Sequence, residues 1–409
     1  MNPVLPSVLK YVGILPYPVH PGPAPLPTQH PALATPAANS FTVLILEGDY
    51  HLTAAVLYCL SRQAGLRVHM LGRVPRSPFR FSRYLASHRY FADQSEAAFI
   101  AAVGRVVTET GAAVLLPVDV PGMRLAIAHR AALAKSVQVL PLPSAEAYET
   151  ATDKSRLAVF MQAHNIPAPD TIVDIRHGLA AQLEGFRFPV LLKPVEGAGG
   201  RDITRHDAPA DLLAAVAALP PGGNYIIQNC LEGYDIDCNV LYQNGQLVAY
   251  SIQKGLVPAA SSEYAPTEAI EFVRSQAVLV VVDELMKALN WSGVAHIDLR
   301  YDARTDQMRV IEINTRFWLT VVGSVVTAHV NFPVLACRAA LGQPLLPGPS
   351  RLGRYIPLAR LLGYRWRQRR AAAEVRFPLR DVAVWALLGD PLPQFYRLLR
   401  RCWRRYWCR

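Results

Sequence analysis

Residues 293–318 read GVAHIDLRYDARTDQMRVIEINTRFW. Apolar and polar residues alternate on both sides of a central turn, the period-2 signature of two half-buried strands. Asp298 falls on the first strand and Glu312 on the second. Glu312, Asn314 and Arg316 lie two apart and share a face, while Ile311 and Ile313 fill the other. Two carboxylates and an amide oxygen on one sheet face suit Mg2+, whose octahedron nucleotide phosphates would complete. An arginine beside them can hold an anion bidentately. Taken alone, the same pattern also describes a polar face balanced by cross-strand charge pairs. His296 precedes Asp298 by two on the same face and reads as a satisfied structural group rather than a base.

Upstream, residues 224–254 read as strand, short link, strand, Asn244-Gly245 turn and strand, the Asn-Gly pair being a strong hairpin signal. Gln228, Asn229, Cys230 and Leu231 form the link, and Asp235 lies just past Gly233. Farther upstream, FPVLLKPVEGAGGRDI (188–203) carries Lys193 at the end of a buried run, followed by Gly197, Gly199 and Gly200. Glycines let backbone N–H groups approach phosphate oxygens, and a lysine adds the complementary charge. The GK[ST] ending of a Walker loop is missing, and an ordinary hairpin with a solvated lysine would read alike.

Together and in this order, the three stretches resemble the ATP-grasp superfamily, in particular its carbamoyl-phosphate synthase and carboxylate–amine ligase branch. The likeness covers residues 150–345 and adds Lys154 in TDKSRL. It implies that Lys154 and Lys193 bind nucleotide phosphates and that the loop of Gly197, Gly199 and Gly200 closes over them. Backbone groups of Gln228, Asn229, Cys230 and Leu231 would read adenine, and Asp235 would hold the ribose. Asp298, Glu312 and Asn314 would ligate one or two Mg2+, or Mn2+. Arg316 would steady an acyl-phosphate and the species after it, with Lys193 and Arg300 assisting; Lys254 is a further candidate contact. Thr315 stands where the family commonly has proline, and Asp235 where it commonly has glutamate, which bears on the ribose contact. The implied reaction activates a small carboxylate as an acyl-phosphate and joins it to an amine. An ATP-grasp kinase or carboxylase, or an ATP-binding module without turnover recruited through its tail, are the alternatives. The intact Asp298, Glu312 and Asn314 set argues against the module, and a homodimer is compatible with the resemblance.

Ahead of this region, FTVLIL, a helical LTAAVLYCLSRQAG ending in a Gly65 C-cap, RVHMLG, a helix over 96–110 and AAVLLPVD alternate as an open parallel α/β sheet. The first strand lacks the GxGxxG that dinucleotide binding needs, so no nicotinamide or flavin cofactor is assigned, and Gly48 and Asp49 serve a ligand or a turn equally well. The expected architecture is therefore mixed α/β and α+β. A proline-rich leader (1–38), extended or disordered, precedes a pre-ATP-grasp domain (39–148), an ATP-grasp domain (149–350) and a basic helical tail (351–409).

The formal charge of +11 is concentrated in that tail. Residues 351–409 hold fifteen arginines and three acids, a net of +12, so the preceding chain sums to about −1. Residues 395–409 place apolar side chains and arginines on opposite sides of a helix. Docking on the protein's own core, an anionic membrane surface and an acidic partner all remain open readings, with nucleic acid ranked below them. Six cysteines without CxxC spacing point to free thiols in a cytoplasmic protein, peripheral at the inner membrane face if the tail binds lipid. Leu319 to Cys337 lacks charge for nineteen residues, but its Gly, Asn, His and Pro content marks buried structure rather than a membrane span.

Overall fold

A run such as FTVLIL, apolar at every position but one, can be satisfied only by a strand covered on both faces. In the computed structural model, which describes residues 40–93, 95–197, 199–257, 267–345, 350–368, 377 and 379–407, that strand is β1 (Phe41–Leu46), and Val43, Leu44 and Ile45 are fully buried. It joins β2 (Leu66–Gly72), β3 (Ser87–Tyr90), β4 (Val114–Leu116) and β5 (Gln138–Val139) in a parallel sheet ordered β3-β2-β1-β4-β5. The helix Tyr50–Ser61 starts where Asp49 Oδ1 accepts from the amides of His51 and Leu52. It ends at Ser61 with Arg62 as C-cap, so Gly65 (φ 82°) forms the turn into β2 rather than the cap expected from the sequence.

The second sheet is antiparallel and consists of β6 (Thr171–Ile172), β7 (Val190–Pro194), β8 (Thr204–His206) and β9 (Tyr225–Asn229), ordered β6-β9-β7-β8. It packs its own small core around Val190, Leu192, Leu212 and Ile227. The third sheet contains β10 (Gly233–Gln243), β11 (Gln246–Val257), β12 (Ala269–Val273), β13 (Gly293–Asp302), β14 (Gln307–Asn314) and β15 (Gly353–Tyr355). Its order is β14-β13-β10-β11-β12-β15, antiparallel throughout. Asn244 (φ 50°) and Gly245 (φ 70°) make the expected hairpin turn between β10 and β11, both in the left-handed region that such turns require.

The uncharged stretch after β14 folds as two short buried helices, Val321–Val326 and Phe332–Ala340. Among the described residues no helix is long and apolar enough to cross a membrane. Among the described residues, Cys59, Cys238, Cys337 and Cys402 are free thiols. The basic C-terminal region supplies edge strand β15 before it turns helical at Leu358–Gln368 and Pro391–Trp407. The proline-rich leader lies outside the described residues.

Candidate functional site

Strand register builds the site. Pairing of β11, β10, β13 and β14 sets Gln253 opposite Asp237, Asp237 opposite Asp298, and Asp298 opposite Glu312. The next row on the same face runs Ser251, Asn239, His296, Asn314. Neighbouring strands sit about 4.8 Å apart, so facing side chains in a row touch. Asn314 Nδ2 donates to Asp298 Oδ2 at 3.3 Å, and Arg316 Nη2 donates to Asn314 Oδ1 at 3.3 Å. The structure thus brings Asp298, Glu312, Asn314 and Arg316 together.

Cations close over this row from the other elements. Lys154 opens the helix Lys154–Ala163 and places Nζ 3.3 Å from Glu312 Oε2, while reaching the carbonyls of Val195 and Gly197 at 3.3 and 3.4 Å. It therefore ties the glycine loop to the acidic face. Gly197 (φ 149°), Gly199 (φ 71°) and Gly200 (φ 71°) hold that loop in conformations that side chains rarely adopt. Lys193, on β7, is buried and donates from Nζ to Gln228 Oε1 at 2.7 Å. Burial, only partly offset by Glu312, lowers its pKa to about 8.

Gln228 and Asn229 belong to β9, so the link between the second and third sheets is confined to Cys230, Leu231 and Glu232. Cys230 N donates to the Pro189 carbonyl and Asn229 Nδ2 to the Arg187 carbonyl, at 2.9 and 2.7 Å. Arg300 locks the link: its Nε and Nη2 donate to the carbonyls of Leu231 and Gly233 at 3.0 and 3.1 Å, and Nη1 meets Asp235 Oδ1 at 2.6 Å. Lys254 lies 3.7 Å over the Tyr234 ring.

Sequence reading overlooked Asp237, although the alternation of Asp235, Asp237 and Asn239 along β10 was a signal for it. Asp237, His296 Nε2 and Asp298 present ligand atoms within 4.8 Å of one another. The hydrogen-bond network assigns the ring: Asn239 Nδ2 donates to Ser251 Oγ and Gln253 Oε1, which leaves its Oδ1 to accept from His296 Nδ1 at 2.6 Å. His296 Nε2 then offers a lone pair 2.9 Å from Asp298 Oδ1, a buried oxygen on which no hydrogen-bond donor is aligned. Two acceptors so close call for a proton or a cation between them. Burial, and after it Glu312, pushes the Asp298 carboxyl well up. Burial acts on Glu312 in the same direction, but Lys154, the contact with Asp298 and Lys193 outweigh it and hold Glu312 below its usual range. Burial pushes Asp237 up to about 7. Oxygen donors whose charge is this poorly compensated fit a hard divalent cation.

A family model described as an ATP-grasp domain matches residues 151–320. A carbamoyl-phosphate synthase of Methanobrevibacter smithii is 24% identical over 172 residues, covering 40% of this chain and 46% of that protein. The carbamoyl phosphate synthase large chain of Thermotoga petrophila is 26% identical over 227 residues, 52% of this chain and 20% of the relative. The chain thus spans less than half the length of these relatives. Among solved structures, the N5-carboxyaminoimidazole synthetase of Staphylococcus aureus complexed with ADP has TM-score 0.60 at 14% identity, covering 81% of this chain and 88% of that one. The biotin carboxylase domain of the Hydrogenobacter thermophilus 2-oxoglutarate carboxylase, in complex with MgADP and bicarbonate, has TM-score 0.59 at 15% identity, covering 77% and 74%. An L-amino acid ligase of Bacillus licheniformis has TM-score 0.54 at 18% identity, covering 74% of each chain.

Proposed function

Through residues 151–320 this chain belongs to the ATP-grasp superfamily, and from that premise we propose that it is an ATP- and Mg2+-dependent ligase that activates a small carboxylate as an acyl-phosphate for attack by an amine. One observation carries the reading: Asp298 and Glu312 face each other across β13 and β14, with Lys154 3.3 Å from Glu312. Acidic side chains beside the half-buried Lys154 and the buried Lys193 suit a polyanion that arrives with its own divalent counter-charge.

Asp298, Glu312 and Asn314 would hold Mg2+, with Asp237 and His296 beside them. Held there, Mg2+ would supply the positive charge that lowers the repulsion between two anionic reactants. The chain's own groups do the positioning. Lys193 and Lys154 bind phosphate charge, and the glycine loop drapes over it and excludes water. Arg316, steadied by Asn314 and by its bond to the Phe317 carbonyl at 2.8 Å, would stabilise the negative charge that builds in the reaction. Arg300 and Asp235 fix the link against which adenine and ribose would lie. ATP use and the free thiols Cys59, Cys238, Cys337 and Cys402 among the described residues support a cytoplasmic location. The Hydrogenobacter domain is described as a dimer, which supports a homodimer here, to be read by sedimentation.

The test is Mg2+-dependent ADP release across a panel of amino acids and small carboxylates, with Glu312→Ala as the blank. ADP release that needs both a carboxylate and an amine supports the ligase. Nucleotide binding without turnover across the panel refutes it. Because the Hydrogenobacter structure holds bicarbonate, a parallel arm supplies bicarbonate alone; ADP release there without an amine would shift the reading to a carboxylase.

A further inference from the structure

The C-terminal helix Pro391–Trp407 docks on the body by its polar flank. Asp390, at its start, accepts from the Ser82 hydroxyl and, at 3.1 Å, from the Arg83 amide. Pro393 is buried, and the Tyr396 ring packs 4.9 Å from Phe81. Arg397 covers the Tyr50 ring at 4.2 Å, and Arg400 reaches the Arg76 carbonyl at 3.4 Å. Positions 393, 396, 397 and 400 form one stripe of a helix turning about 100° per residue.

The apolar stripe lies on the other side. Leu392, Phe395, Leu398, Leu399 and Trp403 are each 53–59% exposed and occupy a sector of roughly 140° along a helix about 25 Å long. Self-docking of this apolar face, one of the four readings of the tail, is thereby ruled out: the body holds the helix by the opposite flank and presents the stripe outward. Residues 391–409 contain six arginines and no acid or lysine. The platform beneath adds exposed Arg76, Arg80 and Arg83, and half-exposed Phe81 and Val74.

We propose that this helix is a preformed interfacial anchor that lays its Leu392–Phe395–Leu399–Trp403 face into the surface of an anionic lipid bilayer. A stripe of aliphatic and aromatic side chains flanked by arginine matches the acyl–headgroup boundary, with apolar groups buried in the lipid and guanidinium groups on its phosphates. An acidic protein would satisfy the arginines but has no need of a continuous, uncharged sector of this width. Because the helix is already folded and fixed, binding does not incur the ordering cost that an unstructured anchor would.

The experiment is flotation of the full chain with phosphatidylcholine vesicles, with and without roughly 30 mol% phosphatidylserine, at low and high salt. The anionic vesicles are expected to bind at least about tenfold more tightly, with salt weakening the binding. Phe395→Asp/Leu399→Asp, at exposed positions, should reduce that binding by at least about tenfold with an unchanged near-UV spectrum and melting curve. Equal binding to both vesicles, or undiminished binding by the double variant, overturns the proposal. So does retention on polyglutamate or RNA without vesicle binding, which would reassign the face to an acidic protein or a nucleic acid.

Discussion

Replacing Lys193 with methionine separates a lysine kept for a ligand from one kept for the fold. Lys193 is 7% exposed, and its pKa falls from 10.5 to about 8, mainly through burial. At about 1.36 kcal/mol per pKa unit, holding the ammonium in the folded chain costs roughly 3 kcal/mol at neutral pH. Methionine fills a similar volume without the charge but leaves Gln228 Oε1 without its 2.7 Å donor, a loss of about 1–3 kcal/mol. The two nearly cancel, so Lys193→Met should fold with stability equal to the parent or up to about 2 kcal/mol higher in urea titration at pH 7. Nucleotide affinity should fall by about 10–100-fold in calorimetry, the worth of one charge-assisted contact. The pH dependence adds a second readout. Between about pH 8 and 10.5 the folded lysine has released a proton that the unfolded chain still holds, so the parent gains stability as pH rises through that window. Below about pH 8 both states are charged and the cost is present in full; Lys193→Met loses this rise. A variant that is clearly less stable yet binds nucleotide normally would refute the reasoning.

For the same reason, parent nucleotide affinity should decline as pH rises through about 8, where Lys193 discharges, and the decline should vanish in Lys193→Met when both are titrated by calorimetry. Glu312→Ala removes the partner of Lys154 and one proposed cation ligand, and should lower Mg2+-dependent ADP release by roughly 10²–10³-fold while the far-UV spectrum is unchanged. At Gly233 (φ 151°) a Cβ would collide with the Tyr301 carbonyl oxygen, so Gly233→Ala should destabilise by about 3 kcal/mol in urea titration. Asp390→Ala removes both acceptors that hold the C-terminal helix to Ser82 and Arg83; proteolysis within residues 391–407 should speed up while overall stability falls by only about 1 kcal/mol.

Local rules carried the sequence reading a long way. Alternation placed Glu312, Asn314 and Arg316 on one face, Asn244-Gly245 marked a hairpin, and buried apolar runs marked the parallel sheet, because each depends on residues a few positions apart. Gly65 misled as a helix terminator, since a glycine near a helix end serves the following turn as readily as the cap. Other features depend on pairing between distant segments. Asp237 joins the site because β10 lies against β13, a register in which Asp237 faces Asp298. Lys154 meets Glu312 across 158 positions of chain, and Arg300 spends its donors on the link at Leu231 and Gly233. The amphipathic pattern of residues 395–409 was plain from the letters, but which flank docks was decided by Ser82, Phe81 and Tyr50 receiving Asp390, Tyr396 and Arg397. Periodicity and turn chemistry act within a few residues and are written in the chain; strand register and helix docking are settled by the summed packing of the whole fold, and they alone decide which neighbours a charge acquires.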